Sequence, residues 1–208
     1  LLRGYTYFHL DYNQQAIDDF DQVLKHKSID TILMLRARAY YNIARVNDHK
    51  WDYDTAYADC EKIIKNNPLN HKAYALMSII KNNLDEFIEA LNLINKAIEI
   101  EPNESDYYSD RGWIKANIGD IVGAKNDAIK GIQLDSSNAR GYLLWGHITY
   151  NVYSKYLDSY SSISDKQKED IWDCIKKMDT VIKISKNKWT KSRAYIYNGI
   201  NKLLLDNK

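Results

Sequence analysis

The sequence predicts an all-α fold in which antiparallel helix pairs stack one on the next as a solenoid, and three observations point to it. Two prolines and eight glycines in 208 residues leave little turn chemistry for hairpins, while Leu, Ile, Ala, Lys, Asn and Asp recur at helical periods. A stripe of small residues repeats along the chain: Ala16, Ala56, Ala90, Ala124 and Cys174 are separated by 40, 34, 34 and 50 residues, so the base period is 34. A second set of positions precedes that stripe once per period, at Gly4, Arg38, Ser78, Gly112 and Gly146, so each period holds two helices.

Five units follow in order. Each second helix carries one stripe at i, i+4, i+7 and i+8, the apolar face of an amphipathic helix. Unit one, about 1–30, pairs Gly4 with Ala16, Phe20, Val23 and Leu24. Unit two, 31–70, has Ala56, Cys60, Ile63 and Ile64 and closes at Pro68; its Arg38 precedes Ala56 by 18 residues where unit one has 12, which predicts a 6-residue insertion between its paired helices. An arginine at the small position also works against close packing of that first helix. Unit three, 71–104, carries Tyr74, Ser78, Ala90, Ile94, Ala97 and Ile98 and closes at Pro102. Unit four, 105–138, repeats Tyr108, Gly112, Ala124, Ala128, Gly131 and Ile132, with Ser136 in the place of proline. Unit five, 139–188, has Tyr142, Gly146, Cys174, Met178, Val181 and Ile182, then Lys186 in that place, and a 28-residue separation that predicts a 16-residue insertion. Its first helix is expected to run on through Tyr150, Tyr153, Leu157 and Tyr160, and its second to begin at a capping box formed by Ser164 and Gln167. The insertion then reads as a lengthened, projecting hairpin whose tyrosines either pack its two helices together or meet a partner. A capping helix, 189–205, completes the array.

This pattern resembles that of tetratricopeptide (TPR) repeats: an aromatic, a small residue, then alanine, a bulky residue and proline. Tyr74, Ala90, Ala97 and Pro102, with Tyr108, Gly112, Ala124 and Gly131, carry it best, and the resemblance covers nearly all of residues 1–202. It implies a right-handed superhelix of helix pairs and, for function, a non-catalytic adaptor or scaffold of cytoplasmic location. Small residues at the stripe let helix axes approach to the short end of the roughly 8–10 Å range. The opening at Leu1, without the start of a full first helix, reads as part of something longer, and Leu203, Leu204 and Leu205 either fold back on the last hairpin or meet a missing segment or a second copy.

Composition narrows the function. Lys+Arg 29 against Asp+Glu 28 gives a formal charge of +1, so no global field favours a nucleic-acid or acidic-membrane partner. No apolar run approaches the roughly 20 residues needed to span a bilayer. Cys60 and Cys174 are far apart and read as reduced core residues; His9, His26, His49, His71 and His147 show no metal-ligand spacing, and no cofactor is expected. The sequon Asn103-Glu104-Ser105 reads as chance in an Asn-rich chain. Neither a phosphate-cradling glycine loop nor a nucleophile elbow occurs, so an enzyme is not expected.

The first helices are expected to line a concave groove that takes a protein or peptide segment. One phase places Tyr5, Ala39, Ile79, Trp113, His147 and Tyr197 along it; one turn later come His9, Ile43, Asn83, Asn117, Asn151 and Asn201, with Tyr150 nearby and Arg36, Arg140 and Arg193 at one edge. Trp113 reads as a peptide anchor or as inter-helix packing. The asparagines read first as helix terminators, and otherwise as an amide ladder that grips a peptide backbone. TPR domains that hold chaperone C-terminal carboxylates use a Lys/Asn/Arg clamp, and Leu35, Ala39, Ala75, Leu76, Ser109 and Asp110 lack that set, which disfavours a chaperone tail. The alternative function is self-assembly as a homo-oligomer through the C-terminal helix or the unit-five hairpin.

Overall fold

The computed structural model describes residues 1–27, 29–47, 49–156 and 163–206. Among these residues there are eleven α-helices and no strand. Two compact units divide the chain, Leu1–Pro102 and Asn103–Lys208. The first holds α1 (Leu2–His9), α2 (Asn13–Leu24), α3 (Asp30–Asn47), α4 (Lys50–Asn66), α5 (His71–Asn83) and α6 (Phe87–Ile100). The second holds α7 (Ser105–Asn117), α8 (Ile121–Leu134), α9 (Ala139–Tyr153), α10 (Asp165–Ile184) and α11 (Lys188–Asp206). Within each unit every helix packs on the next.

The small-residue stripe lies where helices meet. Ala16, Ala56, Ala90, Ala124 and Cys174 are all fully buried. How closely the paired backbones approach is measured by Ser78, whose Oγ on α5 donates to the Ala90 carbonyl of α6 at 2.8 Å. A Cβ on Gly146 would come within 2.8 Å of both Met178 Sδ and the Tyr197 ring. A larger residue at these positions must push a neighbouring helix away.

Unit two of the sequence differs from its expected register. Arg38 is exposed, while Ala44, 12 residues before Ala56, is fully buried. Ala44, Ser78, Gly112 and Gly146 thus form one series with a period of 34, and Tyr40 extends the series of Tyr74, Tyr108 and Tyr142. The α3–α4 hairpin is therefore regular, and close packing of α3 survives because Arg38 never occupied the small position. The extra residues lengthen the start of α3: it begins ten residues before Tyr40, where α5 begins three before Tyr74. That added helical segment is held by burial of Ile32 and Leu33.

Three of the first helices, α1, α5 and α7, end in a shared turn. Asp11, Asp85 and Gly119 have φ of 60°, 60° and 83°, and the amide after each donates back to a carbonyl five residues earlier, Tyr12 to Tyr7, Glu86 to Lys81 and Asp120 to Lys115, all at 2.9 Å. This is the Schellman arrangement. Asn83 and Asn117 still belong to their helices and Asn151 is inside α9, so the asparagines are not the left-handed terminators expected of them. Gly119→Ala is expected to cost about 1 kcal/mol from backbone strain alone, because nothing lies within 4 Å of the added Cβ. Gly119→Asp, the residue the other two turns use, should cost less in the same denaturant titration.

In unit five α9 does not run on as an α-helix: it ends at Tyr153 and tightens into a 3-10 turn at Ser154–Tyr156. Leu157 and Tyr160 lie outside the described residues. The capping box is present, with the Ser164 amide donating to Gln167 Oε1 at 2.7 Å and the Gln167 amide to Ser164 Oγ at 3.4 Å. Tyr153 packs inward with Ile163, Ile171, Ile175 and Leu204, and its hydroxyl donates to Asp170 at 2.6 Å. Leu204 and Leu205 fold back onto that cluster, whereas Leu203 stays exposed.

One slot between paired helices holds the same ion pair in two hairpins and other partners elsewhere. Arg3 grips Asp19 through two bonds of 2.9 and 2.5 Å, and Arg111 grips Asp127 at the same 16-residue spacing with 2.9 and 2.6 Å. In the α9–α10 pair the equivalent slot holds Lys177 Nζ 4.2 Å from the Trp145 ring centroid. Asp59 takes its cation from the lengthened start of α3, where Arg36 donates two bonds of 2.7 Å.

Candidate functional site

In the Asn103–Lys208 unit the first helices α7, α9 and α11 lie side by side, α9 touching both neighbours. α7 and α11 each contribute one ring, and α9 two, to a continuous aromatic wall. Trp113 of α7 stacks on His147 of α9 with centroids 4.8 Å apart and planes tilted by 35°. His147 in turn faces Tyr197 of α11 at 6.5 Å, and Tyr150, three residues on from His147, faces Tyr197 at 6.3 Å. The three helices bring these rings together because Trp113, His147 and Tyr197 share one phase of successive first helices.

Hydrogen bonds fix the imidazole. Asn151 places its amide 3.0 Å from His147 Nε2, and the Tyr197 hydroxyl lies 3.3 Å from Nδ1. An amide donor at Nε2 leaves the proton on Nδ1, facing the Tyr197 oxygen, which also accepts from Arg193 at 3.3 Å. Burial first, and then the nearby Arg193 charge, hold the His147 pKa below its ordinary value. The wall therefore presents neutral rings: Tyr150 is 36% exposed, Trp113 and His147 are half-buried, and Tyr197 is buried.

Between two of these helices, Arg140 of α9 pairs with Asp110 of α7. Burial pushes the Asp110 carboxyl up to about 6, the Arg140 charge opposes that, and Asp106 adds to it. Burial wins because the Arg140 side chain is half exposed and its field is weakened by water. A folded pKa above the unfolded value means that the folded chain holds this proton more tightly. The resulting stability is complete below the unfolded pKa, near 4, and is lost as pH rises through about 6. Between those limits the wild type is expected to lose about 1–2 kcal/mol relative to Asp110→Asn, measured by denaturant titration at each pH. Parallel pH profiles for the two proteins would contradict this.

The Leu1–Pro102 unit gathers its expected groove residues less well. Tyr5 is 47% exposed and stacks on His9 at 4.6 Å, Ile79 is half-buried, and Asn83 donates to the Tyr41 hydroxyl at 3.4 Å. Arg36 is committed to two carboxylates, Asp21 of α2 and Asp59 of α4, rather than standing free at a groove edge. Ala39 is fully buried, and the corrected register puts Tyr41 and Arg45 in the phases first read at Leu35 and Ala39. The 34-residue step from Tyr74 back to Tyr40 is the signal that would have found them. In the other unit, Asn117 is exposed and Asn151 serves His147, but Asn201 is buried against Cys174 Sγ at 3.1 Å. Cys60 and Cys174 are both fully buried, and burial pushes each thiol up, Cys60 to about 12. No helix is long and apolar enough to cross a membrane, and no cluster of metal-ligating groups is found, among the described residues.

Comparison with known proteins agrees with the helical-repeat fold. Residues 37–68 match the family model described as a tetratricopeptide repeat, in the corrected register that begins just before Tyr40. A TPR repeat-containing protein of Methanocaldococcus jannaschii is 30% identical over 129 residues, 58% of this chain and 22% of that one. The chain spans less than a quarter of the length of the curated relatives it matches. Among solved structures, a TPR protein of Thermus thermophilus superposes with a TM-score of 0.74 at 13% identity, covering 95% of this chain and 96% of that one. The first TPR domain of Spaghetti (RPAP3), bound to the HSP90 peptide SRMEEVD, superposes with a TM-score of 0.52 at 19% identity over 59% of this chain and 92% of that one.

Proposed function

We propose, from the premise that the chain is a tetratricopeptide repeat protein, that it is a non-catalytic scaffold which holds a segment of a partner protein against its first helices. The fold supports protein–protein interaction in general. The observation that carries the finer reading is the wall of Trp113, His147, Tyr150 and Tyr197, in which three adjacent helices present large rings at one level. Such rings offer apolar area with little side-chain entropy to lose, which is why aromatic residues anchor interfaces. The wall presents apolar and aromatic rings, so it favours a segment with apolar or aromatic anchors over an acidic tail of the kind bound by the Spaghetti domain.

The test uses a partner captured by the intact chain and then purified for titration. The double variant Trp113→Ala, His147→Ala is expected to bind it at least about tenfold more weakly. Undiminished affinity in that variant would place the partner on another surface. A parallel thermal melt separates the anchor role of Trp113 from a packing role, since packing alone lowers the melting temperature without a matching loss of affinity.

A further inference from the structure

Charge in the Leu1–Pro102 unit is sorted between the two kinds of helix. The first helices α1, α3 and α5 hold six Lys and Arg against one carboxylate, Asp30, whereas the second helices α2, α4 and α6 hold four against nine. The formal charge of +1 for the whole chain conceals this separation. Three of the six cations are taken by carboxylates at their second helices: Arg3 by Asp19, Arg36 by Asp21 and Asp59, and Lys81 by Glu86 and Glu89. The other three, Arg38 and Arg45 of α3 and Lys72 of α5, are exposed and make no ion pair or side-chain hydrogen bond among the described residues.

These three cations share one face. Arg38, Tyr41 and Arg45 stand at i, i+3 and i+7 of α3, one stripe of a helix, and Lys72, Ala75 and Ile79 repeat that stripe 34 residues later on α5. The Asn83 amide of α5 donates to the Tyr41 hydroxyl of α3 at 3.4 Å and ties the two stripes together, while the Tyr41 ring faces Tyr53 of α4 at 6.1 Å. Ala75 is buried and Tyr41 and Ile79 are half-buried, so an apolar strip lies among the three charged side chains. We propose, on the reading that the first helices are the binding face, that this part of α3 and α5 holds an acidic segment of a partner protein by its side-chain carboxylates. Arg38, Arg45 and Lys72 meet the carboxylates, and an apolar side chain between them covers Tyr41, Ala75 and Ile79.

The charge of the face fixes the sign of the occupant, because three cations stand together with no carboxylate among them. Their separation fixes its spacing. Seven residues of helix carry Arg45 about 10 Å beyond Arg38, a distance that three residues of an extended chain span. Cations spread in this way suit carboxylates at every third residue, whereas one terminal carboxylate needs donors that converge on a point, and Asn83 is already committed to Tyr41. A nucleic acid fits less well: three cations neutralise few phosphates, and the nine second-helix carboxylates deny it a continuous positive track. The aromatic wall of the other unit takes no part.

The probe is a synthetic peptide of about ten residues with glutamate at every third position and alanine or leucine between, acetylated, C-terminally amidated and fluorescently labelled. Anisotropy titration with the intact 208-residue chain is expected to show saturable binding that weakens as salt is raised from about 50 to about 300 mM. The triple variant Arg38→Gln, Arg45→Gln, Lys72→Gln should bind at least about tenfold more weakly and lose the salt dependence. Its melting temperature should stay within about 3 °C of the wild type, because none of the three side chains has a bond in the fold to lose. The same peptide with glutamine for glutamate should not bind. The Trp113→Ala, His147→Ala variant should bind the peptide as the wild type does, so failure of the aromatic-wall reading and failure of this one are told apart. The proposal is overturned by the absence of saturable binding at about 100 μM chain, by equal binding of the glutamine peptide or of the triple variant, or by loss of binding in the Trp113 double variant. It is equally overturned if binding needs a free C-terminal carboxylate, if an oligothymidylate of similar charge binds more tightly than the peptide, or if the triple variant dissolves a dimer in sedimentation, which makes the occupant a second copy.

Discussion

Asp59→Ala is expected to lower the stability of the Leu1–Pro102 unit by about 3 kcal/mol in denaturant titration. Asp59 is 1% exposed, and its two oxygens each accept from Arg36 at 2.7 Å, with Lys62 adding a third bond at 3.1 Å. The Arg36 side chain is itself only 16% exposed. Burial works against its charge, and the bonds to Asp59 and Asp21 more than offset that, holding its pKa above the usual range. Removing Asp59 leaves a half-buried guanidinium with Asp21 alone, at 2.6 Å. The cost arises chiefly from that stranded cation, so a second change, Arg36→Met, should restore much of the loss. A deficit that Arg36→Met leaves untouched would mean that the carboxylate acts through packing instead. The pair also explains why the lengthened start of α3 stays helical, since it ties that segment to both α2 and α4.

Ala90→Leu is the second large effect, a loss of about 2–3 kcal/mol. Ala90 is fully buried, and its carbonyl accepts from Ser78 on the facing helix at 2.8 Å. A leucine there cannot collapse into any space, and must separate α5 from α6 or strain a rotamer. Breaking the Ser78 bond follows from the first outcome and leaves a buried hydroxyl unpaired. Ser78→Ala combined with Ala90→Leu should therefore cost less than the sum of the two single changes, the sign of one shared contact. An Ala90→Leu melting curve that overlays the wild type would remove the stripe from the helix interface.

The second-helix stripe was readable from spacing because every one of its residues, from Ala16 to Cys174, meets the same physical demand for small volume. The first helices were less readable. Arg38 was placed at the small position by counting back across an assumed insertion, although Tyr40 and Ala44 stand 34 residues before Tyr74 and Ser78. Periodicity identifies a position only when the register is anchored by two landmarks, and a single arginine supplied one. The asparagines misled for a different reason: the left-handed residue of each turn comes two positions later, at Asp85 and Gly119, where the chain has already left the helix.

What the amino-acid order determined alone is the helical class, the hairpin unit and the face that each second helix buries, because a residue's angle around its own helix axis depends only on its position in the chain. The close grouping of Trp113, His147 and Tyr197 follows from the same angles on adjacent helices. Tertiary structure decided the rest: that Arg36 is taken by Asp59 and Asp21, and that Asn201 sinks against Cys174 while Asn151 serves His147. Those outcomes turn on which neighbour reaches a side chain first, and distances between helices are set by packing, not by spacing along one strip of sequence.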